Sequence, residues 1–297
     1  MLLNDIIEYC NDDYSNENHV CADCTHPGEC PGNCADCLKQ IHFGAGMPGK
    51  RHSYDCRNLV DYYVCKYSFK YTSEIIYALN EVTGFVEEKE ILNVLSIGCG
   101  PCTDLFALDY MKDRGVFKYD ELNYIGVDPL DRWRRIHKKI KNSADDINAR
   151  FEYEEIQNFL PSLTEEGFES DIIIMNYLLS DFHKYHGEAE VIDFLKKMVY
   201  YIISVSSNTI IIINDINLDC SRGGGRDYYD MLSSALWEYG FRCIRRHFDN
   251  DCRSSHYDYG NEYGSNGLLF SPREVSEFEK FEPFTSCSSA QMIIYKE

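Results

Sequence analysis

The feature that most constrains the fold is a regular alternation of strand-like and helix-like segments from about residue 70 onward. Seven short apolar stretches have the length of buried strands, at residues 91–97, 122–128, 150–154, 171–176, 208–214, 241–248 and 290–296. Amphipathic helical patterns separate most of them, and the clearest covers residues 188–204. This alternation predicts an α/β fold with a mostly parallel sheet covered on both faces. The last two strands have no long helix between them, which predicts an antiparallel pair at one edge.

A glycine turn follows the first strand. Gly98 and Gly100 come directly after the apolar run and directly before a helical pattern. Glycines at this place let the backbone turn tightly and approach a ligand. Asp128 ends the second strand, where a carboxylate can accept hydrogen bonds from ribose hydroxyls. Together they predict a nucleotide-type cofactor site at the carboxyl ends of the strands.

Three segments and the closing strands resemble the class I methyltransferases that use S-adenosylmethionine (SAM). SIGCGPCTD at 96–104 is similar to the first motif of that family, YIGVDPLDRW at 124–133 to the second, and DIIIMNYLLSDF at 171–182 to the fourth. The closing strands resemble the antiparallel seventh strand that lies beside the sixth. The resemblance covers residues 70–297 and implies a seven-stranded, mostly parallel Rossmann-like methyltransferase sheet. This chain departs from the family at Ser96, where many members carry an acid, and at Cys102, where many carry a glycine.

The resemblance implies a set of cofactor-binding residues and a second set near the methyl group. The cofactor residues are Ser96, Gly98, Cys99, Gly100, Asp104, Asp128, Pro129, Leu130, Glu155, Ile156 and Asn176. The catalytic candidates follow the fourth strand and are Asn176, Tyr177, Asp181 and His183. The expected function is methyl transfer to an unidentified acceptor, with a small molecule or a protein favoured. The alternatives are an inactive methyltransferase-like protein that binds SAM or a partner, an NAD-type dehydrogenase and a nucleic-acid modifier.

The first 65 residues contain eight of the chain's 14 cysteines. Two pairs have the Cys-x2-Cys spacing of zinc ligands, Cys21 with Cys24 and Cys34 with Cys37. The cysteines predicted to complete a second site are Cys30, Cys56 and Cys65, with His26, His42 and His52 nearby. Residues 1–69 are therefore predicted to form a zinc-binding module, and residues 70–297 the methyltransferase-like domain. The module is a candidate site for a protein partner, and an iron–sulfur cluster is the alternative to zinc.

Two further expectations concern cysteines and location. Cys99 and Cys102, in the glycine turn, are interpreted as ordinary packing or loop residues. The formal net charge of −20 disfavours nonspecific binding to nucleic acid. No basic leader and no apolar run of membrane-spanning length are evident, so a cytoplasmic protein without a membrane partner is expected.

Overall fold

The computed structural model describes residues 1–14, 34–43, 54, 56–86, 88–144, 146–249, 258–270 and 275–296. In these residues helices and strands alternate as expected, with additional helices before the first strand. The elements are α1 (Leu2–Asp13), α2 (Cys34–Phe43), α3 (Arg57–Glu81), β1 (Lys89–Ile97), α4 (Thr103–Asp113), β2 (Tyr119–Val127), α5 (Arg134–Lys141), β3 (Ile147–Glu152), α6 (Ile156–Glu166), β4 (Ile172–Asn176), α7 (Leu179–His186), α8 (Glu188–Ser204), β5 (Ile210–Ile216), α9 (Arg226–Trp237), β6 (Phe241–His247), β7 (Asn261–Glu262) and β8 (Ser289–Lys296).

Isoleucine-rich strands form the centre of the sheet. In β4 and β5, isoleucines pair in register, beginning with Ile172 opposite Ile210. These side chains are buried on both faces of the sheet. A β-branched side chain suits the pleated backbone, and burial on both faces explains why the runs show no polar alternation. The central strands are therefore read correctly from the sequence.

The sheet order is β3-β2-β1-β4-β5-β8-β6-β7. The first five strands of this order are parallel, and β8 runs antiparallel to both β5 and β6. This confirms the α/β fold and the antiparallel last strand beside the sixth. One detail is corrected. The sheet has eight strands rather than seven, because the two-residue strand β7 pairs with β6 and lies outside the predicted antiparallel pair.

Helices cover both faces of the sheet. Residues of α6, α7, α8 and α9 share one core cluster. Residues of α1, α2, α3, α4 and α5 share the cluster on the other face. Helix α3 runs without a break past residue 69, so a boundary between residues 69 and 70 would lie inside a helix. The division into two units stays a prediction.

A buried carboxylate joins α3 to the ends of three strands. Glu74 is fully buried and pairs with Lys70 at 2.9 Å. Its Oε2 accepts hydrogen bonds from Tyr177 Oη at 3.0 Å and from Asn214 Nδ2 at 3.1 Å. Its Oε1 accepts one from the backbone N–H of Ser288 at 2.9 Å. One side chain thereby fixes α3 against the segment after β4, against β5 and against the start of β8.

Within the described ranges, no helix has both the length and the apolar character needed to cross a membrane.

Replacing Glu74 with alanine should lower the free energy of unfolding by about 3–5 kcal/mol, because it leaves the buried Lys70 ammonium without its partner. Urea denaturation measures the change. Glu282→Ala is the matched control, since that carboxylate pairs with Lys66 at 3.4 Å while 69% exposed. The control should lose less than about 1 kcal/mol. Equal losses in the two variants would contradict a central role for Glu74.

Candidate functional site

A cleft of about 250 Å³ opens at the carboxyl ends of β1, β2 and β4. This is where open α/β sheets bind ligands. All eleven residues predicted to bind the cofactor line it, namely Ser96, Gly98, Cys99, Gly100, Asp104, Asp128, Pro129, Leu130, Glu155, Ile156 and Asn176. The fold therefore brings together residues that are up to 80 positions apart in the chain.

The glycine turn is hydrogen-bonded to the end of β2. The backbone N–H groups of Gly98 and Cys99 donate to the carbonyl of Val127 at 2.8 and 3.2 Å. Gly98 has a positive φ of 66°, and a Cβ built there would lie 2.8 Å from Leu178 Cδ1. The backbone conformation therefore favours glycine at this position, and a larger residue would also have to displace the end of the Leu178 side chain.

Asp128 connects the turns that follow β1 and β2. Its carboxylate accepts hydrogen bonds from the backbone N–H of Gly100 at 3.0 Å and of Leu130 at 2.9 Å. Burial raises the pKa of this carboxyl to about 6, although the two backbone donors act in the opposite direction. The carboxyl is therefore largely ionised at neutral pH and faces the cleft as an acceptor.

Asn176 and Tyr177, at the end of β4, belong to a polar network. Asn176 donates to Thr103 Oγ1 at 2.9 Å and accepts from Asn214 Nδ2 at 2.7 Å. Tyr177 has a positive φ of 54°, and its ring stacks on Tyr71 with centroids 3.9 Å apart. Its hydroxyl reaches the buried Glu74, as described above. The network fixes the segment that follows β4 in an unusual backbone conformation.

Asp181 and His183 have different surroundings. Asp181 lines the cleft and also a second, neighbouring cavity. Burial raises the pKa of its carboxyl, and the Lys184 ammonium 3.8 Å away opposes that shift. His183 lines neither cavity, and its Nδ1 lies 2.5 Å from the Tyr228 hydroxyl. The structure thus brings Asn176, Tyr177 and Asp181 to the site but not His183.

The second cavity has a volume of about 620 Å³ and an aromatic wall. Tyr63, Tyr67 and Tyr71 follow one another along α3, with neighbouring ring centroids 4.7 and 5.1 Å apart. Tyr54 and Tyr177 extend this wall at either end. Tyr177 was a predicted site residue, whereas Tyr63, Tyr67 and Tyr71 of α3 were not. The available signal was their spacing of four residues, which places them on one face of a helix.

A neutral histidine supports the aromatic wall. Burial, reinforced by Lys184 and Lys66, lowers the pKa of His42 to about 4. Its two ring nitrogens lie 2.9 Å from Tyr54 Oη and 3.2 Å from Tyr67 Oη. The imidazole therefore links the two hydroxyl groups and orients their rings.

The predicted zinc ligands are only partly described. Cys21, Cys24 and Cys30 lie outside the described residues, whereas Cys34, Cys37, Cys56 and Cys65 are buried. In the part of the chain that can be described, only Cys99, Cys102 and His137 bring three possible metal-ligand atoms within 4.8 Å of one another. These two cysteines were interpreted as ordinary packing residues, and their meeting with a histidine was not foreseen.

Comparison with known proteins gives matches only among solved structures. No protein-family model matches the chain, and no curated protein does. The plantazolicin methyltransferase BpumL, solved in complex with SAH, is 13% identical with a TM-score of 0.43, over 88% of this chain and 95% of that one. The bifunctional kinase-methyltransferase WbdD is 16% identical with a TM-score of 0.43, over 78% of this chain and 39% of that one.

A third similar structure is a Listeria monocytogenes protein assigned as a class I S-adenosylmethionine-dependent methyltransferase. It is 11% identical with a TM-score of 0.42, over 78% of this chain and 62% of that one. This chain therefore spans less than two thirds of WbdD and of the Listeria protein.

Stability should depend on pH through Asp215, whose carboxylate accepts from the Ser180 N–H at 2.8 Å and so fixes the start of α7. Burial raises its pKa from 3.8 to about 6, against the hydrogen bonds from Ser180. The folded chain thus holds this proton more tightly than the unfolded chain. The stabilisation of the fold by the protonated carboxyl is complete below pH 3.8 and is lost as the pH rises through 6.

Asp215→Asn removes this titration. The unfolding free energy of the variant, relative to that of the wild type, should therefore increase by about 2 kcal/mol from about pH 4 to about pH 7.5. Urea denaturation at both pH values measures this difference. Asp219→Asn is the control, because the Ser221 hydroxyl lowers the pKa of that exposed carboxyl. Its pH dependence should have the opposite sign. If the difference in unfolding free energy between Asp215→Asn and the wild type is the same at both pH values, the predicted titration is excluded.

Proposed function

We propose that the chain is a SAM-dependent methyltransferase. The observation that carries the proposal is the convergence of the glycine turn, Asp128 and the Asn176–Tyr177 segment on one cleft, at the carboxyl ends of β1, β2 and β4. The inserted antiparallel β8 supports this reading over a dehydrogenase, as the family resemblance implies. SAM would supply a methyl group already activated on a sulfonium.

The residues of the cleft suit the parts of this cofactor. The Asp128 carboxylate can accept from ribose hydroxyls. Leu130, Ile156 and Trp133 supply apolar surface for the adenine ring. The glycine turn has no side chain of its own at Gly98 and Gly100, which allows a ligand to approach the backbone closely.

We infer that the methyl acceptor occupies the second cavity. The two cavities share Tyr54, Tyr63, Tyr71, Tyr177 and Asp181, so they meet at the segment that follows β4. A volume of about 620 Å³ suits a ligand of moderate size, either a small molecule or a protein side chain with its flanking residues. The tyrosine wall favours an acceptor with a flat, apolar part.

Asp181 is the group best placed to handle a proton. It lies where the two cavities meet, so its carboxylate can reach a ligand in either one, and burial shifts its pKa upwards. A nitrogen or oxygen nucleophile would lose its proton to Asp181 as it gains the methyl group. Asn176 and Tyr177 would position the acceptor. His183 would take no part in the transfer, because it lines neither cavity.

The N-terminal cysteines remain proposed zinc ligands. Cys34 and Cys37 lie one turn apart at the start of α2, and both are buried. We propose that they bind zinc together with Cys21 and Cys24. Cys30, Cys56 and Cys65 remain the proposed ligands of further metal, but Cys56 and Cys65 cannot bind the same ion, because they are separated by nine residues of α3, a rise of about 13 Å. Binding of a protein partner by this region and a cytoplasmic location also remain proposals.

One observation favours a second candidate, a protein that binds SAM without transferring the methyl group. Both polar ends of the Asn176 side chain already have partners, in Thr103 and Asn214. In that case the amide would serve structure rather than catalysis. Binding of SAM without any methylated product would support this reading.

Calorimetric titration with SAM and S-adenosylhomocysteine tests the cleft. Asp128→Ala should weaken binding roughly 10- to 150-fold, the expected effect of losing hydrogen bonds to a charged group. Gly98→Ala and Gly115→Ala form a matched pair, since φ is +66° and +67° and only the first has a neighbour within 4 Å. Both should lose about 1 kcal/mol of stability, but only Gly98→Ala should lose affinity. No binding by folded wild type would refute the proposal.

Transfer of labelled methyl from SAM into cell extract tests the role of Asp181. Asp181→Asn should slow transfer about 100- to 10,000-fold, because it removes the general base. The affinity for SAM should be unchanged. Asp193→Asn is the control, since that exposed carboxylate on α8 pairs only with Lys197 among the described residues. If Asp181→Asn transfers at the wild-type rate, another group must accept the proton.

A further inference from the structure

A buried group of two thiols and one imidazole lies behind the glycine turn. Cys99 and Cys102 flank Gly100 and Pro101 between β1 and α4, and His137 comes from α5. All three side chains are at most 5% exposed. Their ligand atoms lie within 4.8 Å of one another. Two sulfurs and an imidazole nitrogen at this separation form a donor set typical of zinc.

The surroundings of His137 suit a metal ligand. Its Nδ1 lies 2.9 Å from Tyr153 Oη, which can accept a hydrogen bond from Nδ1–H and so orient the ring. Its Nε2 lies 2.8 Å from the carbonyl oxygen of Gly100 and 4.0 Å from Cys99 Sγ. Without a metal, Nε2–H donates to this carbonyl. An ion bound by Nε2 would replace that proton.

The backbone supplies a second, independent observation. Cys102 adopts a left-handed conformation, with φ 65° and ψ 43°. This conformation costs a residue with a Cβ about 1 kcal/mol relative to glycine. A cysteine that served only packing would be a poor choice here, whereas a metal ligand would offset the cost. The Gly100 carbonyl oxygen, 3.9 Å from Cys102 Sγ, is a candidate for the fourth ligand.

We propose that Cys99, Cys102 and His137 bind one zinc ion, distinct from any ion at the N-terminal cysteines. Cys99, Gly100 and Pro101 line the cofactor cleft, but Cys102 and His137 do not. The ion therefore lies on the far side of the turn and joins it to α5. It holds the turn in position and does not contact the methyl group. The proposal concerns metal binding alone and does not depend on methyltransferase activity.

The test measures zinc in the purified full-length chain by elemental analysis. Cys102→Gly is the decisive variant, because glycine suits the local backbone and the variant should fold. It should contain about one zinc ion per chain fewer than the wild type. Cys287→Ser is the matched control, a buried thiol elsewhere in the fold, and it should lose none. Cys21→Ser/Cys24→Ser reports separately on the N-terminal cysteines.

Replacement of zinc by Co²⁺ gives a second readout. Thiolate-to-cobalt charge-transfer absorption should fall in Cys99→Ser and in Cys102→Gly, but not in Cys287→Ser. His137→Gln should keep this absorption and change the cobalt d–d bands, since both sulfurs remain. An unchanged zinc content and cobalt spectrum in Cys102→Gly would overturn the proposal. A Cys99–Cys102 disulfide in the freshly purified protein would also overturn it, in favour of a redox-active pair.

Discussion

The Glu74 carboxylate is the interaction on which the rest of the structure depends. A fully buried acid is costly unless its oxygens are satisfied, and here both are. Its partners come from α3, from the segment after β4, from β5 and from the start of β8. These elements are far apart in the chain and include the antiparallel strand. The acid therefore fixes how α3 lies on the sheet, and α3 carries the aromatic wall of the larger cavity.

The parts of the fold that could be predicted from sequence are those specified locally. Continuous isoleucine runs identify strands buried on both faces, and a glycine turn after such a run identifies the cofactor end of the sheet. Asp128 could be chosen because the end of a neighbouring parallel strand lies beside that turn. The eleven residues predicted from these two anchors and the family resemblance all line one cleft. Helix α8 was bounded correctly because one of its faces is clearly apolar.

Other features depend on contacts between distant residues. Helix α3 is buried on most of its surface, so its pattern gives little indication of which side faces a cavity. The tyrosines at positions 63, 67 and 71 look like core residues until the segment after β4 stacks against them. His137 lies 35 residues after Cys102, and no local pattern joins the two. His183 was chosen for its chemistry, but α7 directs it towards Tyr228.

The position of α3 has a consequence for folding. The helix precedes every strand in the chain, and Lys70 within the helix already pairs with the buried Glu74. The hydrogen bonds of Glu74 to Tyr177, Asn214 and Ser289, however, form only when β4, β5 and β8 are in place. During synthesis, docking of α3 is therefore complete only after β8, which follows the other seven described strands in the chain, has been made. A ligand in the second cavity would bind the chain only when α3 is docked on the sheet. Binding would therefore shift the equilibrium towards the docked state, by mass action. Ligand concentration would then control how much of the chain is protected from proteolysis, as well as how fast the site works.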